Sequence, residues 1–142
     1  GTMFYLGKFN HTLDSKNRLF VPARFREKLG SDFVLFMMPD PCLALYDSDN
    51  FEKLIEQVYE MSESEESREA QRNFFDGALS VTQDKQGRFT VPQDFIEYAS
   101  LGEEVLILGV ADRLEIWNKE RYEELRQAKG EDNKRVMPNI RY

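Results

Sequence analysis

Short apolar runs, broken by polar turns and single prolines, succeed one another along this chain, and the same succession occurs twice. Phe4–Leu6 and Phe9–Leu13 read as extended, Asp14-Ser15-Lys16-Asn17 interrupts them, and Arg18–Val21 forms a second short strand. In the later copy the interruption is Asp84-Lys85-Gln86-Gly87. Asn17 and Gly87 fall at the same place. Both tolerate positive φ, so a tight hairpin turn suits both loops. Pro22 and Pro92 follow. The residue before a proline stays extended, and proline itself suits the first turn of a helix. The pattern therefore predicts a short helix over Ala23–Leu29, with Phe25 and Leu29 on one face and Gly30 as its cap. A second helix is predicted from Gln93 to Ser100, burying Phe95, Ile96 and Ala99. Two further strands follow in each copy: Phe33–Met37 and Leu43–Tyr46, then Val105–Gly109 and Leu114–Trp117. Asp47 and Asn118 are good N-caps for closing helices that carry Phe51-Glu52-Lys53-Leu54 and Tyr122-Glu123-Glu124-Leu125.

The repetition extends to residue identity. At an offset of 70, Gly7, Thr12, Asp14, Arg18, Val21, Pro22, Phe25 and Glu27 meet Gly77, Thr82, Asp84, Arg88, Val91, Pro92, Phe95 and Glu97. One inserted residue later, LALYD at 43–47 meets LEIWN at 114–118. Two repeats, 7–60 and 77–128, are thus expected, joined by an acidic connector over 61–76 and followed by a tail over 129–142. The connector is expected to be the exposed end of a helix plus a loop, and the tail to be frayed from Gly130. A repeat of some 50 residues is hard pressed to bury its own apolar face. No Gly/Ser/Pro-rich linker separates the two, so they should share one core, with pseudo-two-fold symmetry.

Composition narrows the class. The 142 residues suit one domain, with 41% hydrophobic content. A single cysteine, Cys42, cannot form an intrachain disulfide, and a reducing cytosol is its simplest home. The longest apolar run, VLILGVA at 105–111, is too short to cross a bilayer, no signal peptide is visible, and no membrane partner is expected. Gly1 and Thr2 ahead of Met3 read as a remnant of expression.

Net charge is −7, which argues against gross attraction to phosphate. The charge is uneven, however. Residues 8–28 hold Lys8, Lys16, Arg18, Arg24, Arg26 and Lys28 against Asp14 and Glu27, a balance of +4, whereas 47–76 balances at −7. In the second copy Asp94 stands for Arg24 and Ile96 for Arg26, so the first repeat is expected to supply most of any basic face.

Little in the chain suits catalysis. His11 and Cys42 are the sole residues of their kinds. The calcium-loop hint in Asp47-Ser48-Asp49-Asn50 fails because Glu52 stands where such a loop needs glycine. No catalytic residue, metal, cofactor or small-molecule substrate is expected.

LDSKNRLFVPARFR, QDKQGRFTVP and VLILGVADRLEIWNKERYEE together resemble the MraZ family, over Met3 to about Lys129. The resemblance implies an α+β, β-rich fold in which two AbrB-like swapped-hairpin repeats form one barrel with flanking helices. It further implies a bacterial transcriptional regulator encoded at the head of the division and cell-wall gene cluster. Such proteins bind short direct repeats of double-stranded DNA in their own promoter as ring-shaped homo-oligomers, in the cytoplasm at the nucleoid. The family motif falls on Asp14 and Arg18 and again on Asp84 and Arg88.

These residue types fit that task. An arginine fork at the exit of a stiff hairpin can grip two acceptors on guanine. Arg18 is expected either to read a base in this way or to pin the turn through Asp14; Arg88 with Asp84 carries the same motif, but with Ile96 in place of Arg26 its loop is expected to contribute far less to specific binding than that of Arg18. Lys16, Arg24, Arg26, Lys28 and Lys85 would hold phosphates. Asp14, Asn17, Asp84 and Gly87 would brace the loops. Two other readings stay open: an interaction ring without DNA activity, and an AbrB-like antitoxin.

Overall fold

A computed structural model describes residues 4–127 and 135–142. The expected fraying at Gly130 and the start of the 129–142 tail lie outside the described residues. The first repeat runs β1 (Tyr5–Thr12), β2 (Arg18–Phe20), a 3-10 turn (Ala23–Phe25) leading into α1 (Arg26–Leu29), β3 (Asp32–Met37), β4 (Leu43–Tyr46) and α2 (Ser48–Tyr59). After α3 (Glu65–Asp76) the second runs β5 (Ala78–Thr82), β6 (Arg88–Thr90), α4 (Gln93–Tyr98), β7 (Glu104–Ala111), β8 (Leu114–Asn118) and α5 (Lys119–Gln127).

Six strands form one antiparallel sheet in the order β1-β7-β8-β4-β3-β5, and β2 pairs with β6 in a separate two-stranded ribbon. Exchanging the repeats leaves the order of the sheet unchanged, which is the pseudo-two-fold. The exchange of strands is complete. β1 pairs along its whole length with β7 of the other repeat, from Tyr5↔Ala111 to Thr12↔Glu104. β5 pairs with β3, from Asp32↔Thr82 to Phe36↔Ala78. β4 and β8 meet at the centre through Leu43↔Ile116 and Leu45↔Leu114. β1 is one continuous strand where the sequence suggested two pieces, because Gly7 and Lys8 pair with Gly109 and Leu108.

One main core lies between sheet and ribbon. Leu19 and Phe89 from the ribbon, Phe25 and Leu29 near α1, Phe95 and Ile96 from α4 with Ala99 just after it, and Leu35, Leu45, Ile107 and Ile116 from the sheet belong to a single buried cluster. Both repeats contribute throughout. Strand alternation turns Val34 and Phe36 to the opposite face of the sheet. There they meet Tyr46, Phe51 and Phe74. Helices α2 and α3 therefore cover the face of the sheet that looks away from the ribbon.

The connector differs from its expected form. Residues 65–76 are a full helix, α3, because Ser64 caps it by accepting from the Ser67 N–H at 3.0 Å, and Glu65 and Glu66 favour its N-terminal dipole. Phe74 anchors it on Phe36 and Phe51, with ring centroids 4.8 and 5.8 Å away. The two expected N-caps are formed: Asp47 accepts from the Asn50 N–H at 2.8 Å and Asn118 from the Arg121 N–H at 3.0 Å. Asp47 also accepts from the Tyr5 hydroxyl at 2.7 Å.

Candidate nucleic-acid interface

Each Asp-x-x-x-Arg string folds into a turn closed by its own aspartate. Asp14 Oδ1 accepts from the Lys16 and Arg18 N–H groups at 2.9 and 2.8 Å, and Oδ2 from Arg18 Nε at 2.8 Å. Asp84 repeats this with Gln86, Arg88 and Arg88 Nε, at 2.9 Å each. These bonds hold both carboxyls below the usual carboxylate range; the backbone N–H of the paired arginine is the main cause in each loop. Asn17 and Gly87 take positive φ, 60° and 84°. Their carbonyls then accept from the opposite repeat: Val91 N–H donates to Asn17 O at 2.7 Å and Val21 N–H to Gly87 O at 2.8 Å. The two loops are thus fastened to one another's strands.

The ribbon between them pairs Arg18 with Thr90, Leu19 with Phe89 and Phe20 with Arg88. Leu19 and Phe89 are buried, so Arg18, Phe20, Arg88 and Thr90 share the outer face. Each arginine spends only its Nε on the aspartate; the terminal amino groups of both make no hydrogen bond among the described residues. Bracing the turn and presenting a donor fork are therefore compatible in one side chain.

Arg26 departs from its expected setting. Its Nε donates to Val21 O at 3.0 Å, and its guanidinium lies 5.9 Å from the Phe20 ring centroid. It also packs on the other repeat's loop so closely that a Cβ on Gly87 would run into Nε. Gln83 ties the same loop to α1, donating to Arg26 O at 2.9 Å and Gly30 O at 2.7 Å. Counting along the chain gave the basic character to the first repeat. Strand exchange brings Arg26, a first-repeat residue, to the second loop, where it lines a hollow with Asp84, Lys85 and Gly87. Its counterpart, Ile96, is buried in the core.

Lys16 and Lys85 are exposed on the loops, and Arg24 is exposed on the turn before α1. Lys28 stands apart: its Nζ lies 5.1 Å over the Tyr5 ring, and it lines a cleft with Asp32, Asp47, Asp49 and Lys53. His11 is half-buried, and burial, then the charge of Arg26, lowers its pKa. Cys42 is buried with Leu106 and Trp117, and burial foremost pushes its thiol up to about 12. Sequence reasoning missed Phe20, Gln83 and Thr90. The alternation around Leu19 and Phe89 already placed Phe20 and Thr90 outward, but only strand pairing joins them to the two arginines.

Comparison with known proteins gives one consistent family. The family model described as "MraZ protein, putative antitoxin-like" matches residues 4–73 and again residues 74–136. A protein of Clostridium acetobutylicum named transcriptional regulator MraZ is 42% identical over 125 residues, covering 87% of this chain and 88% of that protein. Proteins of the same name from Clostridium tetani and Carboxydothermus hydrogenoformans are 38% and 40% identical, over 87% and 82% of this chain and 88% and 82% of their own lengths.

Proposed function

The chain belongs to the MraZ family, and from that premise we propose that it is a transcriptional regulator that binds double-stranded DNA through the β2–β6 ribbon and its two loops. Arg18 and Arg88 read base edges. Lys16, Lys85, Arg24 and Arg26 hold phosphates and set register; Lys28, answered by the acids of its own cleft, stands outside that set. The operators are short direct repeats upstream of the division and cell-wall genes. A ring-shaped homo-oligomer engages several of them at once, because one ribbon supplies few phosphate contacts and linked sites gain through effective concentration. The protein accordingly works in the cytoplasm, at the nucleoid.

The observation that carries this reading is the pair of guanidinium forks on one face of a two-stranded ribbon, each held by an aspartate through Nε alone. A ribbon of this kind fits the major groove. The test is an electrophoretic shift with the duplex upstream of the protein's own gene. Wild type should retard it at low salt. Arg18→Ala and Arg88→Ala should weaken specific binding comparably, since their bracing is the same, each by roughly 1–3 kcal/mol. A wild type that shifts no DNA leaves the interaction ring as the better reading. The antitoxin wording of the family description supports a third. Against it stands the second repeat, whose strands are interlocked with the first and so are not a loose toxin-wrapping arm.

A further inference from the structure

We propose that Phe20 is a base-reading residue whose ring contacts the C5-methyl group of a thymine in the major groove, beside the base engaged by Arg88. The inference rests on the DNA-binding reading above. It starts from an anomaly in the ribbon. Leu19 and Phe89 are buried, yet Phe20, the next residue along β2 from Leu19, is 41% exposed. Among the described strand residues, Phe33, Phe36 and Phe89 are all core. Phe20 is not a loose surface residue. It pairs with Arg88 across the ribbon, shares its face with Arg18, and has the Arg26 guanidinium 5.9 Å from its centroid while Val21 O holds that guanidinium in place. An apolar ring is thus fixed on a face whose other outward side chains are two arginines and one hydroxyl.

Charge complementarity commits that face to a polyanion, with exposed Lys16 and Lys85 on either loop. Of the four base-pair edges in the major groove, only that of thymine offers an apolar group. A ring directly opposite one guanine-competent fork, Arg88, and two residues along the strand from the other, Arg18, meets the edge of a base pair adjoining those the forks engage. The repeat supplies direction as well. Thr90 occupies the place of Phe20 in the second copy, and Ile96 that of Arg26. The pseudo-two-fold is broken at this position, so the ribbon should read a sequence with polarity rather than a palindrome.

The experiment uses the full-length protein and a randomised duplex library. The duplex enriched by wild type is resynthesised with each thymine replaced in turn by deoxyuridine, which deletes one methyl and leaves every hydrogen-bonding group. One replacement should weaken wild-type binding on the order of fourfold, what burying a single methyl supplies. Phe20→Ala should bind the parent duplex about as weakly as wild type binds that deoxyuridine duplex, and should lose the discrimination. Phe20→Leu should keep part of it. The deoxyuridine arm alters only DNA, so it holds even if a variant folds poorly, and thermal melts report that separately. If no single thymine methyl matters to wild type, or if Phe20→Ala discriminates as well as wild type, this inference is wrong while DNA binding stands. If wild type enriches no duplex, the DNA-binding reading falls and takes this one with it.

Discussion

At the scale of single residues, the two aspartates do most to define the loops. Asp14 and Asp84 each accept three bonds, and their carboxyls titrate below the usual range, chiefly because of the backbone N–H of Arg18 and Arg88. A carboxyl whose pKa is depressed by folding stabilises above its unfolded value, near 4, and loses that effect as pH falls through its folded value. The melting-temperature gap between wild type and Asp14→Asn should therefore be full at neutral pH and close below about pH 4. A gap that persists unchanged in acid would show that the carboxylate charge does not hold the turn. Gly87 gives a second expectation. Its φ of 84° and the Arg26 Nε in the way of any Cβ make Gly87→Ala doubly unfavourable, by about 1–2 kcal/mol or more in chemical denaturation. Asn17→Gly, at the matching site, should be nearly neutral. The turn chemistry of Asp14, Asn17, Asp84 and Gly87 was legible in the sequence because it is local. The seat of Arg26 on Gly87 was not, because those residues are 61 apart and meet only through strand exchange.

At the scale of elements, sequence periodicity located the strands and helices but not their partners. Pro22, Pro92, Asp47 and Asn118 act on their immediate neighbours, so the boundaries they set could be read from type alone. The connector, expected as the end of a helix plus a loop, holds a separate helix, α3, whose acidic run masks its amphipathic pattern; Ser64 followed by two glutamates is the signal for its start. Strand pairing is a different matter. β1 could have paired within its own repeat, and its pairing with β7 includes a close approach at Gly109, where a Cβ would lie 2.5 Å from the backbone nitrogen of Leu6. Gly109→Ala should force β1 away from β7 and destabilise by roughly 1–3 kcal/mol, the usual range for overpacking. Amide exchange should quicken along Tyr5–Thr12 ahead of β3 and β4. A variant with unchanged exchange in β1 would mean that this contact does not govern the pairing.

For the whole molecule, the question is how a chain of net charge −7 can approach a polyanion. The fold separates the charges that the sequence lists in series. The acidic helices α2 and α3 pack through Phe51 and Phe74 on one face of the sheet, while Leu19 and Phe89 join the ribbon to the core on the other. A sheet and its packing layer span about 10 Å, and the Debye length at physiological salt is about 8 Å. The repulsion of the helices is therefore largely screened where the ribbon meets phosphate, whereas the ribbon's own cations act at contact. Asp14 and Asp84, acids on that side, are already paired to arginines. It follows that salt dependence should be set by individual exposed cations and not by net charge. Arg24 is the cleanest probe, because it is exposed and makes no hydrogen bond among the described residues. Arg24→Ala should lower the slope of log affinity against log salt by about one and leave the preferred sequence unchanged. Glu65→Gln with Glu66→Gln, on α3, changes net charge by more but should leave the slope as it was. The reverse result would mean that the acidic helices and the ribbon face the same DNA, and that the sheet does not divide them.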